Sequence, residues 1–426
     1  MKKIIFYIGF LLVTRVAFSQ DIDKIITQAE VERIEKILAS DEMEGRKTFT
    51  PSIDRAATFI ASEFGNNGLR FFQQSGDYRQ PFQLAKAKLL KQLGTFDGQK
   101  IDSSNILALT TMPELAVDNT SGYEMVKLTR GSNLLREVVK LLQANKNYVV
   151  IVDTSFSLNF SRLARFSRGS FKKNTSVIFV LSATTPVKYA FIVKNDIVES
   201  PLANVIGVLP GKSKKNEVVV FSAHYDHLGI GKPDDKNDSI YNGANDDAAG
   251  ITAILLLSKY FKQINNNERT LIFVAFTAEE IGGFGSKYFS QNIDPASVIA
   301  MFNIEMIGTG SKWGTNSAYI TGFERSNFGK ILQANLRTSK YHFEADPYPQ
   351  QNLFFRSDNA TLASMGVPAH TISTAKMDAE KYYHKQGDEV STLDLKNMTE
   401  IIKAIAVSST SIVNGKDTPI RIPEEK

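Results

Sequence analysis

The sequence predicts an α/β fold: a mixed, largely parallel sheet sandwiched by helices, with a smaller subdomain inserted into it. Three observations predict it. From Asn204 onwards, short apolar runs alternate with segments of helical period, the pattern of strand–helix–strand repeats. A chain of 426 residues exceeds one ordinary domain. Residues 86 to 200 differ from what flanks them, with strand-like runs and one helical stretch.

The elements follow in order. Lys2-Lys3, the apolar run Ile4 to Val13 and the small-residue site Ala17-Phe18-Ser19 read as a secretory leader over residues 1–19, which predicts export to a periplasmic or extracellular space. That run is too short to span a bilayer, and no other segment is apolar enough to do so. Val31, Ile34, Ile37 and Leu38 mark a helix over Glu30 to Ser40, and Ala56, Ala57, Ile60, Ala61 and Phe64 a second over Asp54 to Phe64, both within an N-terminal part reaching residue 85. In the inserted region, strands are expected at Tyr148 to Val152 and Val177 to Leu181, and a helix at Asn133 to Gln143. Arg162, Arg165, Arg168, Lys172 and Lys173 there form a basic stripe at helical spacing, read as a solvated face. Beyond residue 200, strands are expected at Val218 to Ala223, Leu271 to Phe276, Val298 to Ile304 and Val367 to Ile372. Helices are expected at Ala248 to Phe261, Gly285 to Ser290, Ser326 to Leu336 and Leu395 to Ser408. The charged, proline-containing end, residues 416–426, is expected to be loose.

Composition narrows the chemistry. Cysteine is absent, so disulfides, thiol nucleophiles and thiolate metal sites are excluded, and any zinc must be held by histidine and carboxylates. The net charge of +5 includes Lys2, Lys3 and Arg15 of the leader, which leaves no basic excess for general nucleic-acid binding.

Of only five histidines, three lie in motifs that follow apolar runs. His224 and Asp226 stand at the end of one run, where a ligating imidazole and its carboxylate partner could both be supplied. His227 is the poorer candidate, because strand alternation would turn it away from His224. Asp246-Asp247 precede an apolar helix, where aspartate is also a good N-cap, so one can cap and the other bind metal. Glu279-Glu280 follow another run, and adjacent residues point differently, which suits one as ligand and one as base. Glu305 sits between Ile304 and Met306, and a carboxylate in apolar surroundings wants a cation. His384 lies in Tyr383-His384-Lys385-Gln386-Gly387-Asp388, before the last helix.

In this order and spacing the motifs resemble metallopeptidase family 28, the zinc exopeptidases of the aminopeptidase Y and glutamate carboxypeptidase type. The resemblance covers residues 201 to 410, and more loosely Leu38 to Arg46. It implies a zinc-exopeptidase-like fold with two Zn2+ per chain and a peptide substrate. His224 and Glu305 would hold one zinc, Glu280 and His384 the other, and Asp246 would bridge them. Glu279 would be the general base and Tyr383 would polarise the scissile carbonyl, with Asp226 and Asp388 supporting the ligands. Many members have aspartate where this chain has Glu305, and many carry a protease-associated domain where residues 86–200 stand. Two other readings use the same fold: a glutaminyl-cyclase-like single-zinc acyltransferase, and a non-catalytic binding protein. Retention of both histidines and the bridging aspartate favours the two-metal hydrolase. The loop Tyr348 to Arg356, with Phe354 and Phe355, is a candidate lining for a side-chain pocket.

Overall fold

The computed structural model describes residues 22–167 and 169–423. The expected leader lies outside them, as do Arg168 of the basic stripe and the last three residues. Two compact units divide at Phe82–Leu202, the first taking the described residues up to Pro81 and from Ala203 on.

The first unit opens with α1 (Gln28–Leu38), whose start is fixed by Thr27, its hydroxyl accepting from Glu30 N at 3.2 Å. Val31, Ile34 and Leu38 turn inward at helical spacing. Helix α2 (Pro51–Asn66) has proline in its first turn, where the missing N–H costs nothing. The later elements are β1 (Tyr189–Leu209, from Ala203 in this unit), β2 (Lys214–His224), α3 (Ala249–Ile264), β3 (Arg269–Phe276), α4 (Phe284–Gln291), β4 (Val298–Ile304), β5 (Ser317–Ile320), α5 (Phe328–Leu336), β6 (His342–Ala345), β7 (Ala369–Ser373) and α6 (Leu395–Ser408).

The sheet runs β6-β5-β7-β4-β2-β3-β1. Strand β2 is central and parallel to both neighbours, with Val219 opposite Leu271 and Ala300. Strand β4 is parallel to β7, while β1 is antiparallel to β3. A parallel sheet is covered on both faces, so its strands are apolar throughout rather than alternating. Val218 to Phe221 show this: Phe221 stacks against Phe273 and Phe302, at 5.4 and 4.8 Å between centroids. Helices α1, α3 and α6 pack together over one face, and α4 and the turn Asn359–Ala363 cover the other. Near the start of the chain, Asp23 pairs with Lys403 of α6 at 2.6 Å. Because β2, β3, β4 and β7 run the same way, their carboxyl ends share one edge, where ligands of such sheets gather.

In the second unit, Ile106–Leu109, Val177–Leu181, Tyr148–Val152 and Glu124–Leu128 form a four-stranded sheet in that order, with apolar clusters on both faces. The described basic residues, Arg162, Arg165, Lys172 and Lys173, do not share one helix. Ser161–Ser167 is a 3-10 turn, Lys172 pairs with Glu199 at 2.7 Å, and the Lys173 ammonium points to Leu142 O. The C-terminal segment also departs from expectation. Ile420 N bonds Asn327 Oδ1 at 2.7 Å, Arg421 reaches Pro295 O and Val298 O, and Ile422 is buried, so the chain is docked through Ile422.

Candidate metal centre

His224 is the last residue of β2, one residue further into the strand than the sequence suggests. Its Nδ1 lies 3.0 Å from the main-chain carbonyl of Asp226, and its Nε2 lies 3.2 Å from Asp246 Oδ1. The expected imidazole–carboxylate pair is therefore corrected: the Asp226 carboxylate stands 3.9 Å from Nδ1. That carboxylate is fully buried and accepts instead from Glu279 N at 3.0 Å and Glu280 N at 3.3 Å. It fixes the turn after β3 that presents both glutamates.

Asp246 sits in an irregular turn, Ala244–Ala248, entered through Gly243 at φ 59°. There a side chain would meet the Asp246 carbonyl and the His227 ring, so only glycine admits the close approach. The Asp388 carboxylate accepts from Asn245 N and Asp246 N at 2.8 and 3.0 Å, holding the turn from the other side. Asp246 faces two imidazoles: Oδ1 that of His224, and Oδ2 that of His384, each at 3.2 Å. Asp247 works as the cap, its Oδ1 accepting from Gly250 N and Met306 N at 3.0 and 3.1 Å.

Glu280 has two imidazole neighbours. Its Oε1 is 2.8 Å from His227 Nδ1 and its Oε2 is 3.2 Å from His384 Nε2. His227 thus belongs to the site, against the alternation argument. The chain leaves the extended conformation after His224, so strand geometry no longer sets where His227 points. His224, Asp246 and Glu305 bring one ligand atom each within 4.8 Å of one another, and so do His227, Asp246 and Glu280. Tyr383 stacks on the His384 ring at 4.0 Å and, with Glu305, Arg356 and Leu353, lines a small adjoining pocket. Phe354 does not line it; that ring is core, packed among Leu362, Ala363 and Val367.

The electrostatics call for cations. Burial, with Glu305, Asp358 and Glu280 nearby, holds the Glu279 carboxyl well above its usual range despite His224. Burial likewise pushes Asp226 and Glu305 up to about 7 and Asp388 to about 6. His224 and His384 move the other way. Burial disfavours their charge, but the facing carboxylates outweigh it, taking His384 to about 10 and His224 well above its ordinary value. His227 Nε2 and Glu305 Oε2 are buried without a hydrogen-bond partner among the described residues. Crowded carboxylates with orphaned ligand atoms fit divalent metal, and an all-nitrogen-and-oxygen donor set suits zinc.

The chain has the fold of solved aminopeptidases. It aligns with the aminopeptidase from Aneurinibacillus sp. strain AM-1 at a TM-score of 0.55 and 18% identity, over 95% of this chain and 98% of that one. Residues 204–409 match the model of Peptidase family M28, and this region of the chain belongs to that family. The chain is also similar to the aminopeptidase YwaD of Bacillus subtilis, 27% identical over 52% of this chain and 47% of that protein. It is 24% identical to a vacuolar membrane protease of Schizosaccharomyces pombe over 51% of this chain and 24% of that protein. It therefore spans less than half the length of these curated relatives. No helix among the described residues is long and apolar enough to cross a membrane.

Proposed function

We propose that the chain is an exported zinc-dependent exopeptidase, an aminopeptidase that hydrolyses the peptide bond next to a free amino terminus. The observation that carries this reading is Asp246, whose two carboxylate oxygens each face a different imidazole at 3.2 Å, the arrangement of a bridging ligand. His224 and Glu305 would hold one zinc and His384 and Glu280 the other. Zinc bound there would lower the pKa of a water towards about 7 and supply positive charge against the scissile carbonyl.

The chain's own groups do the rest. Glu279 stands at the end of β3 in low dielectric, held by the Asp226 carboxylate through its N–H at 3.0 Å. It takes the proton of the attacking water and delivers it to the departing amine, a transfer that typically contributes about 10²–10⁴-fold. The Tyr383 hydroxyl, which burial keeps protonated, donates to the oxyanion. Asp388 and Asp226 keep the carriers in place from behind. Glu305, one methylene longer than aspartate, reaches the centre from the end of β4. The names of the similar aminopeptidases support the choice of terminus, and the leader expected over residues 1–19 supports export.

The test is a panel of aminoacyl anilides and their N-acetylated counterparts, assayed with chelator and after zinc is restored. Free-amine substrates are cleaved, blocked ones are not, and chelation abolishes turnover reversibly. Chelator-resistant hydrolysis, or equal cleavage of blocked substrates, refutes the proposal.

A further inference from the structure

The guanidinium of Arg46 is fully buried, yet all four of its hydrogen bonds go to main-chain carbonyls. Nε donates to Tyr225 O at 2.9 Å, Nη1 to Leu38 O and Asn242 O at 2.6 Å each, and Nη2 to Gly243 O at 2.8 Å. Two of these carbonyls adjoin the metal centre. Tyr225 lies between His224 and Asp226, and Gly243 opens the turn that presents Asp246. One planar cation from the N-terminal segment thus ties together two loops that arrive from different parts of the sheet.

The segment is shaped for this. Glu44, Gly45 and Arg46 all have positive φ, at 47°, 64° and 47°. Non-glycine residues held there are strained and persist only where surroundings enforce them. A side chain at Gly45 would run into the Tyr241 carbonyl and the Gly229 backbone, so the turn is wedged between the loops it holds. Main-chain and side-chain bonds reinforce it: His227 N donates to Arg46 O at 3.2 Å, and Asn242 Nδ2 donates to Ala39 O and Asp41 Oδ1 at 3.0 and 2.9 Å. A buried cation without adequate partners is strongly disfavoured, so the guanidinium holds these carbonyls as firmly as they hold it. Lysine, a point charge without the planar fork, cannot span four acceptors.

We infer that Arg46 is a positioning residue for the metal centre, setting the spacing between the loop of His224 and Asp226 and the turn of Asp246 whether or not metal is bound. This rests on the metal-centre reading above, and it adds a determinant that lies outside the family-matched region 204–409. Arg46 touches neither substrate nor metal; it acts through the carbonyls it grips.

The experiment compares wild type with Arg46→Lys and Arg46→Met. Zinc dissociation constants are measured by competition with a chromophoric chelator, and the visible spectrum of the cobalt-substituted proteins reports ligand geometry. The expected result is affinity about 10-fold or more weaker in both variants, a changed cobalt spectrum, and kcat reduced more than KM is raised. A second measurement needs no variant. In chelated wild type, the amides of His227, Asn245 and Asp246 keep slow hydrogen exchange. Unchanged zinc affinity and cobalt spectrum in the variants overturn the inference, as does free exchange of those amides once metal is removed. A wild type that binds neither zinc nor cobalt overturns the metal-centre reading itself, and the inference with it.

Discussion

Glu35 offers a test of how the centre is supported from below. It is fully buried on α1, with Oε1 accepting from Thr252 Oγ1 of α3 at 2.6 Å and Oε2 without a hydrogen-bond partner among the described residues. Burial dominates its titration and pushes the carboxyl from 4.5 up to about 8, although Arg46 pulls the other way. The folded state therefore holds a proton that the unfolded chain releases, and stability falls as pH rises from about 4.5 to about 8. At 1.36 kcal/mol per pH unit, the interval from 4.5 to about 8 amounts to roughly 5 kcal/mol, absent below the lower value and complete above the upper one. Glu35→Gln removes the titration and keeps an oxygen for Thr252. Its extra buried N–H costs about 1–3 kcal/mol, at every pH. In denaturant melts under matched metal conditions, the variant gains on wild type by several kcal/mol between pH 5 and pH 8.5. A difference that stays constant across that range refutes the reasoning, because it would mean that Glu35 is already ionised beside Arg46.

Three further perturbations probe the site directly. Glu279→Gln keeps its zinc, by metal analysis of the purified protein, but loses about 10²–10⁴-fold in kcat, the worth of a general base. His227→Ala frees Glu280 Oε1 and weakens zinc binding by about 10-fold or more in chelator competition, as removal of a ligand's hydrogen-bond partner usually does. Gly250→Ala drives a methyl into the Ile304 carbonyl and the Asp247 carboxylate, and costs about 3 kcal/mol in thermal or denaturant unfolding.

The sheet was legible because its central strands are continuous apolar runs with polar ends. Val298–Ile304, Tyr148–Val152 and Val177–Leu181 have the bounds that the residues suggest, and so does the amphipathic helix Leu395–Ser408. The edge strand His342–Ala345 and its neighbour Ser317–Ile320 have no signature in the sequence, being four residues each with no sustained pattern. Around the metal centre, motif spacing carries residue types but not directions. It did not show that a carbonyl rather than a carboxylate would orient His224, or that His227 would turn towards Glu280. Nor did it give Arg46 a task, although the looser resemblance runs from Leu38 to Arg46. Arginine is almost never buried, so its sequence signature is that of a surface residue. What makes it otherwise is a set of carbonyls some 180 to 200 positions further on, as its bonds to Tyr225, Asn242 and Gly243 record.

The pairing of Asp23 with Lys403, and of α1 with α6, has a consequence for how the molecule is made. These partners are 380 positions apart. At a synthesis rate of about 5–20 residues per second, the first helix must wait several tens of seconds for the last one to emerge. Over that interval Val31, Ile34 and Leu38 have no finished surface to lie against. A nascent chain of this kind is a natural client for a holding chaperone, and early release from the ribosome would yield an aggregation-prone fragment rather than a weaker enzyme.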